Sequence, residues 1–406
     1  MPEEPADRPL PLSGIRVLDV ATVLAAPVTA TMLGDFGADV VKVEEPGRGD
    51  FTRNGPGAAE PGARSFQWIQ EARNKKSVTL DLRTPRGQQL LRDLVPHFDV
   101  VVTNYRPPTL EKWGLAPETL RELNPRAVIV CLTGYGLNGP YRDRGAFDRV
   151  ASAFAGLTYV SGEQGRPPVR SGYAVIDYMA AYLAAFATTT ALYHRDLRGG
   201  EGQIVDLALY EAGFRAGENA LLAYGALGQV RERCGNQNPD IVPASDFDTA
   251  DGRRVSLHAG TDTLFRRLCR VIGDPQLADD PRFATRDERV AHQDELYRLI
   301  AEWVAGLDAD TVVRTLNDAN IPAAPIMSIA DIAEDPHYRE RGTFVEVDDP
   351  EHGPVPMVAA LPRLTGTPGR IRSLGPRLGE HTEEVLRELL GLAPAELSAL
   401  RDDGVL

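Results

Sequence analysis

The sequence predicts an α/β chain built on an open, mostly parallel sheet, and three observations predict it. Short β-branched runs alternate with amphipathic stretches through the first third of the chain, the rhythm of β-α-β units. A helix start is written into Thr84-Pro85, a capping hydroxyl followed by proline at the first helical position. At 406 residues the chain is too long for one small core, so two lobes are expected. In order, Ile15–Val20 reads as the first strand, the segment around Pro27–Phe36 as a helix, and Asp39–Glu44 as the next strand. Ser77–Leu80, Asp99–Val102 and Ala127–Leu132 continue the sheet, with the Thr84-capped helix between the first two of these. A long apolar helix is expected from about Tyr173 to His194, then a break at Arg198–Gln203 and a hydrophobic stretch Ile204–Leu209. Its most apolar part, Tyr178–Tyr193, falls short of the ~20 residues that span a bilayer and reads as a buried core helix. From about Gly235 to Pro325 the pattern turns to short strands among helices. Pro336–Pro376 reads as a loop-rich return, and His381–Leu390 as a final helix.

The formal charge of -14 and the pI near 5.1 oppose nucleic acid or an anionic membrane surface as the main partner, because both require a basic face. Cys131, Cys234 and Cys269 show no C-x-x-C spacing, which points to a reducing compartment without a thiolate metal site. The polar N-terminal stretch Met1–Arg8 has no apolar leader core, so a cytoplasmic location is expected.

In an open parallel sheet ligands sit beyond the carboxyl ends of the strands, which directs attention to Ala21–Pro27, Asn104–Pro108 and Thr133–Gly139. The last contains G-x-G-x-x-G from Gly134 to Gly139. A loop, not a helix, follows it, and the first β-α turn lacks glycine, so a nicotinamide or flavin site is not expected. Asp177 stands at the start of the apolar helix. It reads either as an ordinary first-turn carboxylate or as a nucleophile kept ionised by the helix terminus and able to attack a thioester carbonyl. Asn104-Tyr105-Arg106 offers an amide, an aromatic and a cation that could meet adenine and phosphate, or simply forms a proline-rich turn. Arg73-Asn-Lys-Lys76 reads as solvated surface or as a phosphate contact. The seven histidines lack ligand spacing, so no metal is expected.

Several segments together resemble the class III CoA-transferase family, the group holding formyl-CoA transferase, carnitine CoA-transferase and the α-methylacyl-CoA racemases. They are Leu12–Asp19, Leu33–Glu44, Asn74–Ser77, Asn104–Pro107, Leu132–Gly136, Gly200–Gln203 and Leu378–His381, in that order. The resemblance implies a Rossmann-like large domain from both chain ends, residues 1–215 and 335–406, a smaller inserted α+β domain at 225–330, and an interlocked dimer. It implies a CoA thioester as substrate with no permanently bound cofactor, a homodimer or a hetero-oligomer with a paralogue, Asp177 as catalytic residue, and CoA contacts from Ala25, Lys75, Asn104, Tyr105 and Arg144. Gly235–Pro239 resembles the family's mobile active-site loop.

Two departures shape the expectation. Where the racemases carry a histidine before an aspartate, this chain has Phe147-Asp148. Phe147 cannot exchange a proton, so transfer is favoured over epimerisation. Leu24 and Glu45 stand where formyl-CoA transferase has a glutamine and a CoA-contacting arginine, which speaks against the oxalate/formate pair. Succinyl-CoA with a dicarboxylic acceptor is the expected pair, and Arg149, Arg170 and Arg233 are candidates to hold the acceptor. An epimerase and a non-catalytic CoA-binding subunit are the alternatives.

Overall fold

The computed structural model describes residues 9–58 and 63–406, and Met1–Arg8 lies outside them. By its internal contacts the chain forms two compact units. The first takes residues up to Leu157 with Arg170–Leu222 and Gly342–Leu406; the second takes Thr158–Val169 with Ala223–Arg341.

The first unit is built on a six-stranded sheet of β1 Arg16–Asp19, β2 Asp39–Glu44, β3 Lys75–Thr79, β4 Val100–Thr103, β5 Val128–Thr133 and β6 Ile204–Ala208. The strand order is β3-β2-β1-β4-β5-β6 and every pairing is parallel. Because β1 has β2 on one side and β4 on the other, the winding reverses there, and a crevice opens beyond the carboxyl ends of β1 and β4. The helices of this unit are α1 Ala25–Asp35, α2 Phe66–Glu71, α3 Pro85–Leu94, α4 Pro107–Trp113, α5 Pro117–Leu123, α6 Asp148–Phe154, α8 Val175–Leu197 and α9 Leu209–Arg215, while all but the first residue of α7 Leu157–Val160 falls in the second unit.

Alternating side chains divide between the two faces of the sheet. Leu18, Val41 and Val101 join Leu90, Leu94 and the C-terminal helices' Leu386 and Leu400 on one face. Val17, Val40 and Val100 join Ala26 and Ala30 of α1 and Ala180 and Ala184 of α8 on the other. Alanines at both helix faces let α1 and α8 approach closely, and Thr29 Oγ1 donates to Ala181 O at 3.4 Å across them.

The second unit carries an antiparallel sheet, β7 Ala244–Asp248, β8 Arg254–His258 and β9 Ala323–Pro325, in that order. Its own core gathers Val255, Leu257, Phe265, Phe283, Ile300 and Val312.

One expectation needs correction: the loop-rich return holds an antiparallel hairpin, β10 Phe344–Asp349 with β11 Gly353–Val358. The apolar helix α8 runs 23 residues, past the expected end at His194, and turns Ala180, Ala184, Ala191 and Leu192 into the core; by length and composition alone it is also long and apolar enough to cross a membrane.

Candidate active site

The N-terminus of α8 lacks a cap of its own, since Ala174 precedes it. Asp148, in the first turn of α6, supplies one. Its Oδ1 accepts the N–H of Ile176 at 2.9 Å and that of Asp177 at 3.4 Å, meeting donors a helix start leaves free. Asp177 is 8% exposed, yet its carboxylate has no hydrogen-bond or ion-pair partner among the described residues. Burial first, and the negative charge of Asp148 second, push the Asp177 carboxyl up to about 7.

A cavity of about 430 Å³ opens at Asp177, lined by Thr22–Ala25 from the β1-α1 turn, Asn104 and Arg106 after β4, and Gly134 and Arg144–Phe147 after β5. All three loops leave carboxyl ends of strands, the position the switch in winding marks for ligands. At the start of α1 the Ala25 and Ala26 amides have no intrahelical acceptor, Pro27 carries no N–H, and Val28 N donates to Leu24 O at 2.9 Å; of these residues Ala25 belongs to this wall. A second cavity of about 490 Å³ shares Thr22 and Val23 with the first. It is walled by Phe51, Tyr105 and Trp113 and carries Arg48 and Arg83. The Tyr105 and Trp113 rings meet edge-on at 4.9 Å, and Arg83 is held by Asp81 at 2.8 Å and Glu45 at 2.9 Å.

Of the residues singled out in the sequence, Ala25, Asn104, Arg144 and Asp177 meet in the first cavity, and Tyr105 lines the second. Lys75 lines neither. Its side chain is 1% exposed, and Nζ donates to Asp19 Oδ2 at 2.9 Å and Pro27 O at 2.7 Å. The Asn104 amide faces protein: Oδ1 accepts from Thr22 N at 2.9 Å and Nδ2 donates to Thr22 O at 2.6 Å. Arg144 lies over the Tyr141 ring at 3.8 Å. Arg149 and Arg170 are exposed and do not line the Asp177 cavity. Arg233 belongs to the second unit and donates from Nη1 to Tyr159 O at 2.6 Å. Gly134–Gly139 is loop, and α6 begins only at Asp148, after Phe147, which is among the residues lining the Asp177 cavity. Among the described residues no group of three or more His, Cys, Asp or Glu side chains is arranged to hold a metal.

The sequence reading missed two carboxylates at this site. Asp148 stood in plain view beside Phe147, but its capping of a helix 28 residues away leaves no local signal. Asp50 accepts the N–H of Val23 at 3.2 Å from a Gly-rich turn that no motif marks.

A sequence profile described as CoA-transferase family III matches residues 12–382. Succinyl-CoA–D-citramalate CoA-transferase of Chloroflexus aurantiacus is 42% identical over 393 residues, 97% of each chain. The beta subunit of succinyl-CoA–L-malate CoA-transferase from the same organism is 42% identical over 402 residues, 98% of each chain. Among solved structures, a CAIB/BAIF family protein from Brucella suis superposes with a TM-score of 0.82 at 33% identity, covering 94% of this chain and all of that one.

Proposed function

The chain belongs to CoA-transferase family III, and from that premise we propose that Asp177 is the nucleophile with which it moves coenzyme A from succinyl-CoA to a dicarboxylic acid. The observation that carries this is Asp177 itself, nine-tenths buried, its carboxylate without a partner among the described residues, and lining a cavity walled by the β1-α1 turn through Ala25.

Asp177 Oδ attacks the thioester carbonyl, the C–S bond breaks, and CoA thiolate leaves a mixed anhydride between Asp177 and the donor acid. The thiolate then attacks the Asp177 carbonyl and expels the donor carboxylate, giving an aspartyl-CoA thioester. The acceptor carboxylate attacks that thioester and again frees the thiolate. Attack of the thiolate on the acceptor's acyl carbon yields the new acyl-CoA and restores the Asp177 carboxylate. Each step passes through an oxyanion, for which the amide of Ala25, at the start of α1 and in the cavity wall, is the donor at hand. The second cavity, with its aromatic walls, Arg48 and Arg83, suits the nucleotide end of CoA.

Two relatives named for succinyl-CoA with citramalate or malate support the donor and a hydroxy-dicarboxylic acceptor. Phe147 in the cavity, with no proton to exchange, supports transfer over epimerisation. We take the active form to be a homodimer in the cytoplasm, which the three free cysteines and an exposed apolar stripe on α8 support.

Hydroxylamine trapping with a panel of acyl-CoA esters tests the assignment by mass spectrometry. Succinyl-CoA should leave a hydroxamate on Asp177, and Asp177→Ala should lose both the mark and transfer activity by at least about a thousandfold. A wild-type protein that turns over succinyl-CoA without marking Asp177 would overturn it.

A further inference from the structure

The turn between β1 and α1 is held in an unusual way. Side chains occupy each backbone polar group from the Ala21 amide to the Val23 amide. Asp19 Oδ1 accepts from Ala21 N at 3.1 Å, and the Lys42 ammonium donates to Ala21 O. Asn104 takes both Thr22 N at 2.9 Å and Thr22 O at 2.6 Å. The Asp50 carboxylate accepts from Val23 N at 3.2 Å. Val23 sits at φ +70°, a left-handed conformation that a β-branched residue adopts only when its surroundings compel it.

Asp50 is itself fixed. Glu44 Oε2 accepts its N–H at 2.9 Å, Thr52 donates to Oδ1 from N at 2.9 Å and from Oγ1 at 2.7 Å, and Lys42 lies 3.2 Å from Oδ2. The strained residue forms the wall common to both cavities and stands two residues before Ala25, the first residue of α1 and part of the Asp177 cavity wall.

We infer that Asp50 is a positioning residue for the transfer reaction: it holds Val23 in its left-handed conformation and so aims the first turn of α1 at the Asp177 cavity. The role rests on the proposed chemistry at Asp177 and extends it to a residue that touches neither reacting group. Lys42 and Asn104 complete the clamp around the same three residues.

If Asp50 works by holding Val23, a residue that enters the left-handed region freely should need it less. The test is a double-mutant cycle of Asp50→Ala and Val23→Gly, read as kcat, KM and melting temperature. Asp50→Ala alone should lower kcat about tenfold or more, the scale of a lost strained conformation. In the Val23→Gly background the same substitution should lower kcat by less than about threefold, a coupling of the size neighbouring residues show. The melting temperature should fall by similar amounts in both backgrounds, because Lys42 loses the nearer of its two carboxylate partners in each. Equal kcat losses in both backgrounds would overturn the inference and leave Asp50 a stabilising charge only. Asp50→Asn serves in the same cycle if the alanine variant does not fold. Where wild type itself shows no transfer, the function assigned to Asp177 fails; hydrogen exchange of residues 20–26 across the same four proteins then decides the clamp, with non-additive opening supporting it and additive opening refuting it.

Discussion

Two effects act on the Asp177 carboxylate, burial and the like charge of Asp148, and both favour its protonated form. In the unfolded chain it titrates near about 3.9. Folded, it keeps its proton up to about 7. Between those values the folded state binds a proton that the unfolded state does not, so stability declines as pH rises through the window and levels off above it. Asp177→Asn should therefore add stability on the order of 2–3 kcal/mol at pH 8 and little at pH 4, which urea denaturation at the two pH values checks. The nucleophile is the ionised form, so kcat/KM should fall about tenfold per unit below the folded pKa. Asp148→Asn keeps an acceptor for the Ile176 amide and removes the charge. Its acid limb should move to lower pH but stay above the ordinary carboxylate range, because burial is the larger cause. An unmoved limb would show that Asp148 acts only as a cap.

Among the elements, those built from local pattern were legible in the sequence. β2 occupies Asp39–Glu44 as read, and α3 starts at Pro85 with Thr84 Oγ1 accepting from Gly87 N at 3.0 Å. The hairpin β10-β11 was not legible, because Pro354 and Pro356 demote the second run. They pair with Asp348 and Glu346 in a two-stranded ladder, and lying two residues apart they put both missing donors on one edge. The Gly200–Gln203 motif was visible, but its reason is not local. A Cβ at Gly202 would stand 2.0 Å from Ala127 O, where the lead-in to β6 crosses that to β5, and Gly202 N donates to Pro125 O at 2.9 Å. Gly202→Ala should cost at least about 2 kcal/mol, since backbone rather than a movable side chain must give way. Gly225→Ala, in a helix with nothing within 4 Å of its Cβ position, should be neutral or stabilising by up to about 1 kcal/mol. Thermal melts of the two variants side by side check both; equal losses would mean that the close approach at Gly202 relaxes freely.

At the scale of the whole molecule, long-range stitching is what the sequence conceals. The second lobe was read at 225–330, whereas Thr158–Val169 also gathers with it, tied by Gly235 N donating to Gly162 O at 2.9 Å and Arg233 Nη1 to Tyr159 O at 2.6 Å. The clamp around Val23 is equally non-local, since Asp50 and Asn104 reach it from 27 and 82 residues further along the chain. The same scale raises the question of assembly. On α8, Ala180 and Ala184 face the core, while Tyr182, Phe186, Tyr193 and Leu197 repeat at helical spacing on the outside. Phe186 is 70% and Leu197 69% exposed, an apolar stripe that a lone chain leaves in water. A second copy of the chain is the occupant that the family resemblance implies. Sedimentation equilibrium should return a dimer, and Phe186→Glu with Leu197→Glu should weaken it by about 2 kcal/mol or more, as loss of a buried apolar anchor does. A fully active monomer would remove the dimer from the proposal. Sedimentation of the wild type with lipid vesicles, abolished by the same two substitutions, would instead make the stripe a membrane-facing surface, which the length and composition of α8 permit.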